Sequence, residues 1–203
     1  MLNKKLLSSI LFGACLFAIQ TVSAATYYLN QSNTLVDGTN YAQVKVLENA
    51  GNLDFTVSAL QPTGWRFSNF FLNLGGSLGT LTFKDLPSGW DALGSKNASE
   101  FGVFSNEEKG GGGNLQSLFT FTINSTVALS LANLVVNDKG YFFAAHIQCS
   151  GNGDNLCSSV GDDVSSHFIA GPGEISSVPV PGAAWLFGSA LLGFVGFGNR
   201  RKV

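Results

Sequence analysis

Leu118-Phe119-Thr120-Phe121-Thr122-Ile123-Asn124 sets Phe119, Phe121 and Ile123 on one side of an extended chain and Thr120 and Thr122 on the other. Successive side chains of a strand point to opposite faces, so this stretch buries one face and wets the other. Asp54 to Leu60 repeats the pattern, with Phe55, Val57 and Ala59 set against Thr56 and Ser58. Val127, Leu129 and Leu131 alternate with Ala128, Ser130 and Ala132, and Tyr141, Phe143, Ala145 and Ile147 alternate with Phe142, Ala144 and His146. Aromatic and β-branched residues in period two mark half-buried strands. Turn chemistry punctuates them at Asp37-Gly38, Asn49 to Asn52, Pro62 to Gly64, Gly75-Gly76, Pro87 to Gly89 and Gly110 to Asn114. No apolar repeat of 3.6 residues is long enough for a core helix. The expectation is an all-β chain forming a single β-sandwich or jelly-roll-like domain, its phenylalanines packed between two sheets. There is no internal repeat, and no second domain boundary before Gly171.

The ends read differently. Residues 1–24 carry Lys4 and Lys5, an apolar stretch from Leu6 to Ile19 and a small-x-small site at Val22-Ser23-Ala24, the pattern of a secretory signal peptide. A lipoprotein signal built on Gly13-Ala14-Cys15 is the competing reading; it leaves a very short apolar region and puts Phe12 where Leu is favoured. At the other end, a proline motif (178–182, Val178-Pro179-Val180-Pro181-Gly182) precedes an apolar run (183–198) and a basic tail (199–203) containing Arg200, Arg201 and Lys202. A proline pair removes backbone donors and so marks a boundary before the apolar run. The 17 residues from Gly182 to Gly198 make a helix about 25 Å long, at the short end for a bilayer. The basic cluster would stay in the cytoplasm under the positive-inside rule and stop transfer.

Ala183-Ala184-Trp185-Leu186-Phe187-Gly188-Ser189-Ala190-Leu191-Leu192-Gly193, after Val178 to Pro181, resembles the C-terminal sorting signal of PEP-CTERM proteins in its Val-Pro-Leu-Pro-Ala form. Val180 stands where the Pro-Glu-Pro form has Glu, and Gly182 replaces the Ala of the commoner variant. The resemblance implies export and temporary anchoring in the inner membrane. It further implies that an exosortase-type cysteine peptidase would then cut near Val178, Pro179, Val180 and Pro181, and that the product would go to the cell surface or the exopolysaccharide matrix (biofilm) of a Gram-negative bacterium. An ordinary C-terminal anchor that is never cut is the other reading. Leu29 to Asn33, Leu35 to Val44, Leu86 to Trp90 and Phe143 to Ile147 resemble an uncharacterised group of exported PEP-CTERM proteins, which implies a shared ectodomain and no activity.

Between the ends lie residues 25–177, enough for one domain with a core. Five of the 11 basic residues sit in the ends, so six remain against all 13 acidic ones and the mature domain carries −7. Such a balance excludes nucleic acid and anionic lipid as partners, which demand clustered Lys and Arg. Cys15 leaves with the signal. Cys149 and Cys157 then form an even pair around Ser-Gly-Asn-Gly-Asp-Asn-Leu, and in an oxidising compartment a disulfide is expected. Zinc would need more ligands, and redox catalysis a closer pair.

Chemistry is sparse. The two histidines are His146, in an aromatic-flanked strand, and His167, in a polar turn beside Phe168. A triad drawn from Ser165, Ser166, Asp162 and Asp163 lacks a nucleophile elbow, and the Gly110–Gly113 run lacks the Lys-Ser/Thr of a phosphate loop. No catalytic residue and no cofactor is expected. Asp154, Asp162 and Asp163 could offer oxygens to calcium, though their spacing matches no defined calcium loop; solvated turns are the simpler reading. Trp65 and Trp90 each follow a glycine in a turn and would stack on sugars if exposed, or pack at the core edge if not. The expected function is a non-enzymatic surface or matrix protein. The alternatives are an exopolysaccharide-binding module using Trp65 and Trp90, and a secreted hydrolase, which needs a pocket joining a histidine to a carboxylate.

Overall fold

A computed structural model describes residues 23–60, 64–110, 113–149, 166–172 and 176–179. Two six-stranded antiparallel sheets share one aromatic core, the layering of a β-sandwich. The first sheet holds β1 (Ser23–Leu29), β3 (Ala42–Asn49), β4 (Asn52–Ala59), β6 (Leu81–Lys84), β11 (Leu118–Ser125) and β14 (Ser176–Pro179), in the order β14-β1-β3-β4-β11-β6. The second holds β2 (Gln31–Ser32), β5 (Trp65–Leu72), β7 (Trp90–Leu93), β10 (Asn106–Gly110), β12 (Tyr141–Cys149) and β13 (Ser166–Pro172), in the order β2-β13-β12-β5-β10-β7. A small pair, β8 (Lys96–Asn97) with β9 (Val103–Phe104), completes the strands among the described residues. Two single-turn 3-10 helices are the only helices there, as the missing 3.6-residue periodicity led one to expect.

Alternation became layering. The turn Ala50-Gly51 closes a hairpin in which Val46 faces Phe55 and Val44 faces Val57, and β11 adds Phe121 opposite Phe55. Phe55 and Phe121 stack with centroids 4.6 Å apart, and Phe143 of the second sheet meets Phe55 edge-on at 6.3 Å. Phe70 stacks on Phe143 at 5.7 Å. Offset and edge-to-face rings of this kind add stability beyond the area they bury. Where the sheets converge, β13 runs so close to β1 that a Cβ on Gly171 would lie 2.2 Å from the Tyr28 carbonyl oxygen. Only a residue without a side chain allows that approach.

The structure corrects the sequence reading at three places. Residues 127–132 alternate yet form no strand. Leu129 is buried, but the Leu131–Asn133 turn is fixed by side chains: Asn133 Oδ1 accepts from the Ser130 N–H at 2.9 Å and Glu48 Oε1 from the Leu131 N–H at 2.5 Å. Local bonds of this sort compete with a ladder. In β12 an irregularity between Tyr141 and Phe143 shifts the register. Tyr141 therefore joins the outer cluster with Phe101, while Phe142 packs against the main core. An extra residue in a ladder reassigns faces in this way. His167, finally, lies in β13 and is 1% exposed rather than in a polar turn.

The second sheet also carries a cover on its outer face. Phe101 and Phe104, from the β8–β9 excursion, pack with Phe71, Ala144, Ala170, Phe168 and Tyr141. Nothing in the strand pattern of the sequence indicated this smaller core.

Candidate functional site

Beginning at the ends, β14 is the edge strand beside β1, with Ser23 opposite Pro179, Ala24 opposite Val178, Ala25 opposite Ser177 and Thr26 opposite Ser176. Proline lacks a ladder donor and belongs at a sheet edge, where it also discourages further strand addition. The first half of the proline motif thus runs beside the residues that precede the expected signal cleavage point. Val180, Pro181, the apolar run 183–198 and Arg200, Arg201 and Lys202 lie outside the described residues, as does nearly all of residues 1–24. Among the described residues no helix is long and apolar enough to cross a membrane.

Trp65 and Trp90 are core residues, 2% and 5% exposed. The Trp90 Nε1–H donates to the Asn114 carbonyl at 2.7 Å, its ring lies 4.7 Å from Phe119, and it passes so near Gly110 that a Cβ there would sit 2.6 Å from Nε1. Trp65 lies 4.8 Å from the His167 ring. Neither indole has an open face for a sugar, which corrects the stacking role considered for the pair. Each begins a strand with its side chain inward, and burial is the usual fate of a large aromatic there.

The histidines lie on opposite faces of the second sheet. His167 pairs with Ile147 and points to the core, where its Nδ1 meets Thr34 Oγ1. His146 lies outward, stacked on Phe168 at 4.5 Å. Burial lowers its pKa, and the neighbouring His167 adds to the effect. A bulge in β5, where His146 faces Asn69 and Ile147 faces Phe67, leaves Ser68 as the extra residue. Ser68 Oγ sits 2.8 Å from His146 Nδ1 and 2.8 Å from Asn69 Oδ1, and Asn69 Nδ2 donates to Glu107 Oε1 at 2.5 Å. This Glu-Asn-Ser-His chain was not legible in the sequence, because the bulge that assembles it carries no motif. Its geometry is a clamp: Ser68 is 6% exposed, and Phe168 covers the imidazole face.

Glu108, next to Glu107 on the opposite face, is fully buried, and neither of its carboxylate oxygens has a hydrogen-bond partner. Desolvation raises its pKa well above the usual carboxylate range; its own backbone N–H opposes this and Glu107 adds to it. Burial of a carboxyl in such a place favours its neutral form.

The outer face of the first sheet carries an open depression of about 490 Å³ lined by polar side chains of β4, β11 and the end of β6. Asp54 anchors it, accepting from Thr122 Oγ1 at 2.7 Å and Asn49 Nδ2 at 2.9 Å. Asn52, Thr56, Thr120, Lys84, Asp85 and Asn124 also line it, and Asn124 Oδ1 is an acceptor without a donor. The size falls in the range of small-ligand sites. The alternation that placed Phe119 and Phe121 inward put these threonines here, so the face was legible in the sequence although the depression was not.

Cys149 is disulfide-bonded. Cys157 lies outside the described residues, as do Asp154, Asp162 and Asp163; among the described residues no group of three His, Cys, Asp or Glu side chains is placed to hold a metal. No protein-family model, characterised protein or solved structure matches this chain.

Proposed function

We propose that the chain is an exported, non-catalytic protein of a bacterial cell surface or exopolysaccharide matrix, built on a jelly-roll-like β-sandwich. Residues 1–24 act as its signal peptide, residues 183–198 as a temporary inner-membrane span, and Val178 to Pro181 as the motif read by an exosortase-type peptidase. The observation that carries the reading is the pairing of Ser23 with Pro179: the last described residues before each apolar terminal segment are neighbours at one end of the first sheet, which suits a chain whose two ends reach one membrane. A non-catalytic role is supported by the Ser68–His146 clamp, whose hydroxyl is too buried to meet a substrate. Mass spectrometry of protein recovered from the host's outer fraction tests the proposal. The expected product starts at Ala25 and lacks any peptide spanning Leu186 to Arg200. Finding that peptide in surface-released protein overturns the sorting step.

The polar depression favours one second reading, a glycan-binding role that does not use Trp65 or Trp90. Its hydroxyl, amide and carboxylate groups suit a polyhydroxylated neutral chain, and without an aromatic platform each contact is weak, so retention depends on many repeats. Pull-down with the host's exopolysaccharide should then hold wild type and lose Asp54→Ala while the variant stays folded. Equal retention of the two removes the reading.

A further inference from the structure

We infer that the mature amino terminus determines how much of the proline motif the sheet can hold. The inference rests on the export reading. β1 is an internal strand, paired with β14 on one side and with β3 on the other, where Ala24 faces Leu47 and Ala25 faces Val46. A peptidase takes its substrate as a free extended segment, and a strand paired on both sides is not one. Hydrolysis of the Ala24–Ala25 bond, which adds one water to give a carboxyl on Ala24 and an amino group on Ala25, therefore comes before β14 docks.

That cut has a consequence at the other end of the chain. Ser23 and Ala24 are the cross-strand partners of Pro179 and Val178. Once they are gone, the ladder between β1 and β14 ends at Ala25 with Ser177, leaving Ser176 and Ser177 paired and the chain from Val178 onward free. Among the described strands, β14 is at the sheet edge with no second neighbour. Amino-terminal processing thus sets the boundary between the folded domain and an accessible carboxy-terminal segment, and sets it at the first residue of the motif. A mature chain two residues longer would keep Val178 and Pro179 in the sheet, where attack requires local opening of the edge.

The test compares three full-length chains in membrane preparations from a producing host. The first is wild type. The second carries Gln20→Ala, Val22→Ala and Ala24→Leu, which move the small-x-small site so that the mature chain starts at Ser23. The third, Ala24→Arg, blocks the cut. Amino-terminal sequencing verifies each start, and a cooperative thermal unfolding transition verifies the fold. With a broad-specificity protease added outside, cutting within residues 177–182 should be at least tenfold slower in the second and third chains than in wild type. Equal rates in folded wild type and the folded Ser23-start chain overturn the inference and leave the export reading standing. Wild-type chain uncut after Ala24 overturns both. If the Ser23-start chain does not fold, the Ala24→Arg comparison decides on the same criterion.

Discussion

Glu108 is a carboxyl whose neutral form the core prefers, and that preference has a definite sign. Its folded pKa lies above its unfolded value, so the native state holds the proton after the unfolded chain has released it. Stability from this group is complete below the unfolded pKa, about 4.3, and is lost as pH rises towards the folded value. His146 works the other way. Its folded pKa is lowered, so protonation near its unfolded pKa of about 6.5 favours the unfolded chain, and stability is lost as pH falls through that region. The two contributions oppose each other, and a difference measurement separates them. Glu108→Gln should melt higher than wild type at pH 8, and its advantage should shrink steadily towards pH 5. Thermal melts across that range check it, and an advantage that does not change with pH rules out a neutral, buried Glu108. At the same scale, Trp90→Ala should cost about 3–5 kcal/mol, as for a large aromatic removed from a core, with denaturant unfolding as the readout. A loss of ligand retention with unchanged stability would contradict its burial.

At the scale of elements, period two declared β4, β11 and most of β12, passed over β3, whose Ala42, Val44 and Val46 also alternate inward, and stayed silent wherever a single residue broke it. β4 and β11 were readable because Phe55, Val57, Phe119, Phe121 and Ile123 alternate without interruption and all face the core. Residues 127–132 alternate as well, but Ser130, Asn133 and Glu48 satisfy that backbone locally, and no pattern reveals a side chain 83 residues away in sequence. The bulge at Ser68 and the irregularity after Tyr141 were equally hidden, and with them the Glu107–His146 chain and the true faces of Tyr141 and Phe142. Two predictions belong here. Gly171→Ala forces a methyl against the Tyr28 carbonyl and should destabilise by about 1–3 kcal/mol through backbone displacement, measurable by denaturant unfolding. The partner of Cys149 should be Cys157: non-reducing peptide mapping should recover the two joined, and replacing both by serine should cost about 2.5 kcal/mol, the entropy of a small closed loop. Recovery of Cys157 as a free thiol contradicts the pairing.

For the whole molecule, the proposed function demands that the ectodomain lose its carboxy-terminal segment without losing its fold, and the distribution of packing allows it. Among the described strands β14 pairs with β1 alone, and it ends in a proline, so it closes an edge that proline already protects. β1 is different: Ala25, Tyr27 and Leu29 are buried in the main core, with Tyr27 against Phe142 and Phe143. The chain's two ends therefore share a ladder, and β1 carries buried side chains into the main core. A chain terminated after Pro181 keeps every described strand, β14 included, and should unfold cooperatively with a melting temperature within a few degrees of the uncut protein. Tyr27→Ala in the same background should lower stability by about 3–5 kcal/mol, as removal of a core ring does. Calorimetry of the two chains distinguishes the alternatives: if truncation after Pro181 costs as much as Tyr27→Ala, the tag is part of the folded domain and its removal cannot be a routine step on the way to the surface.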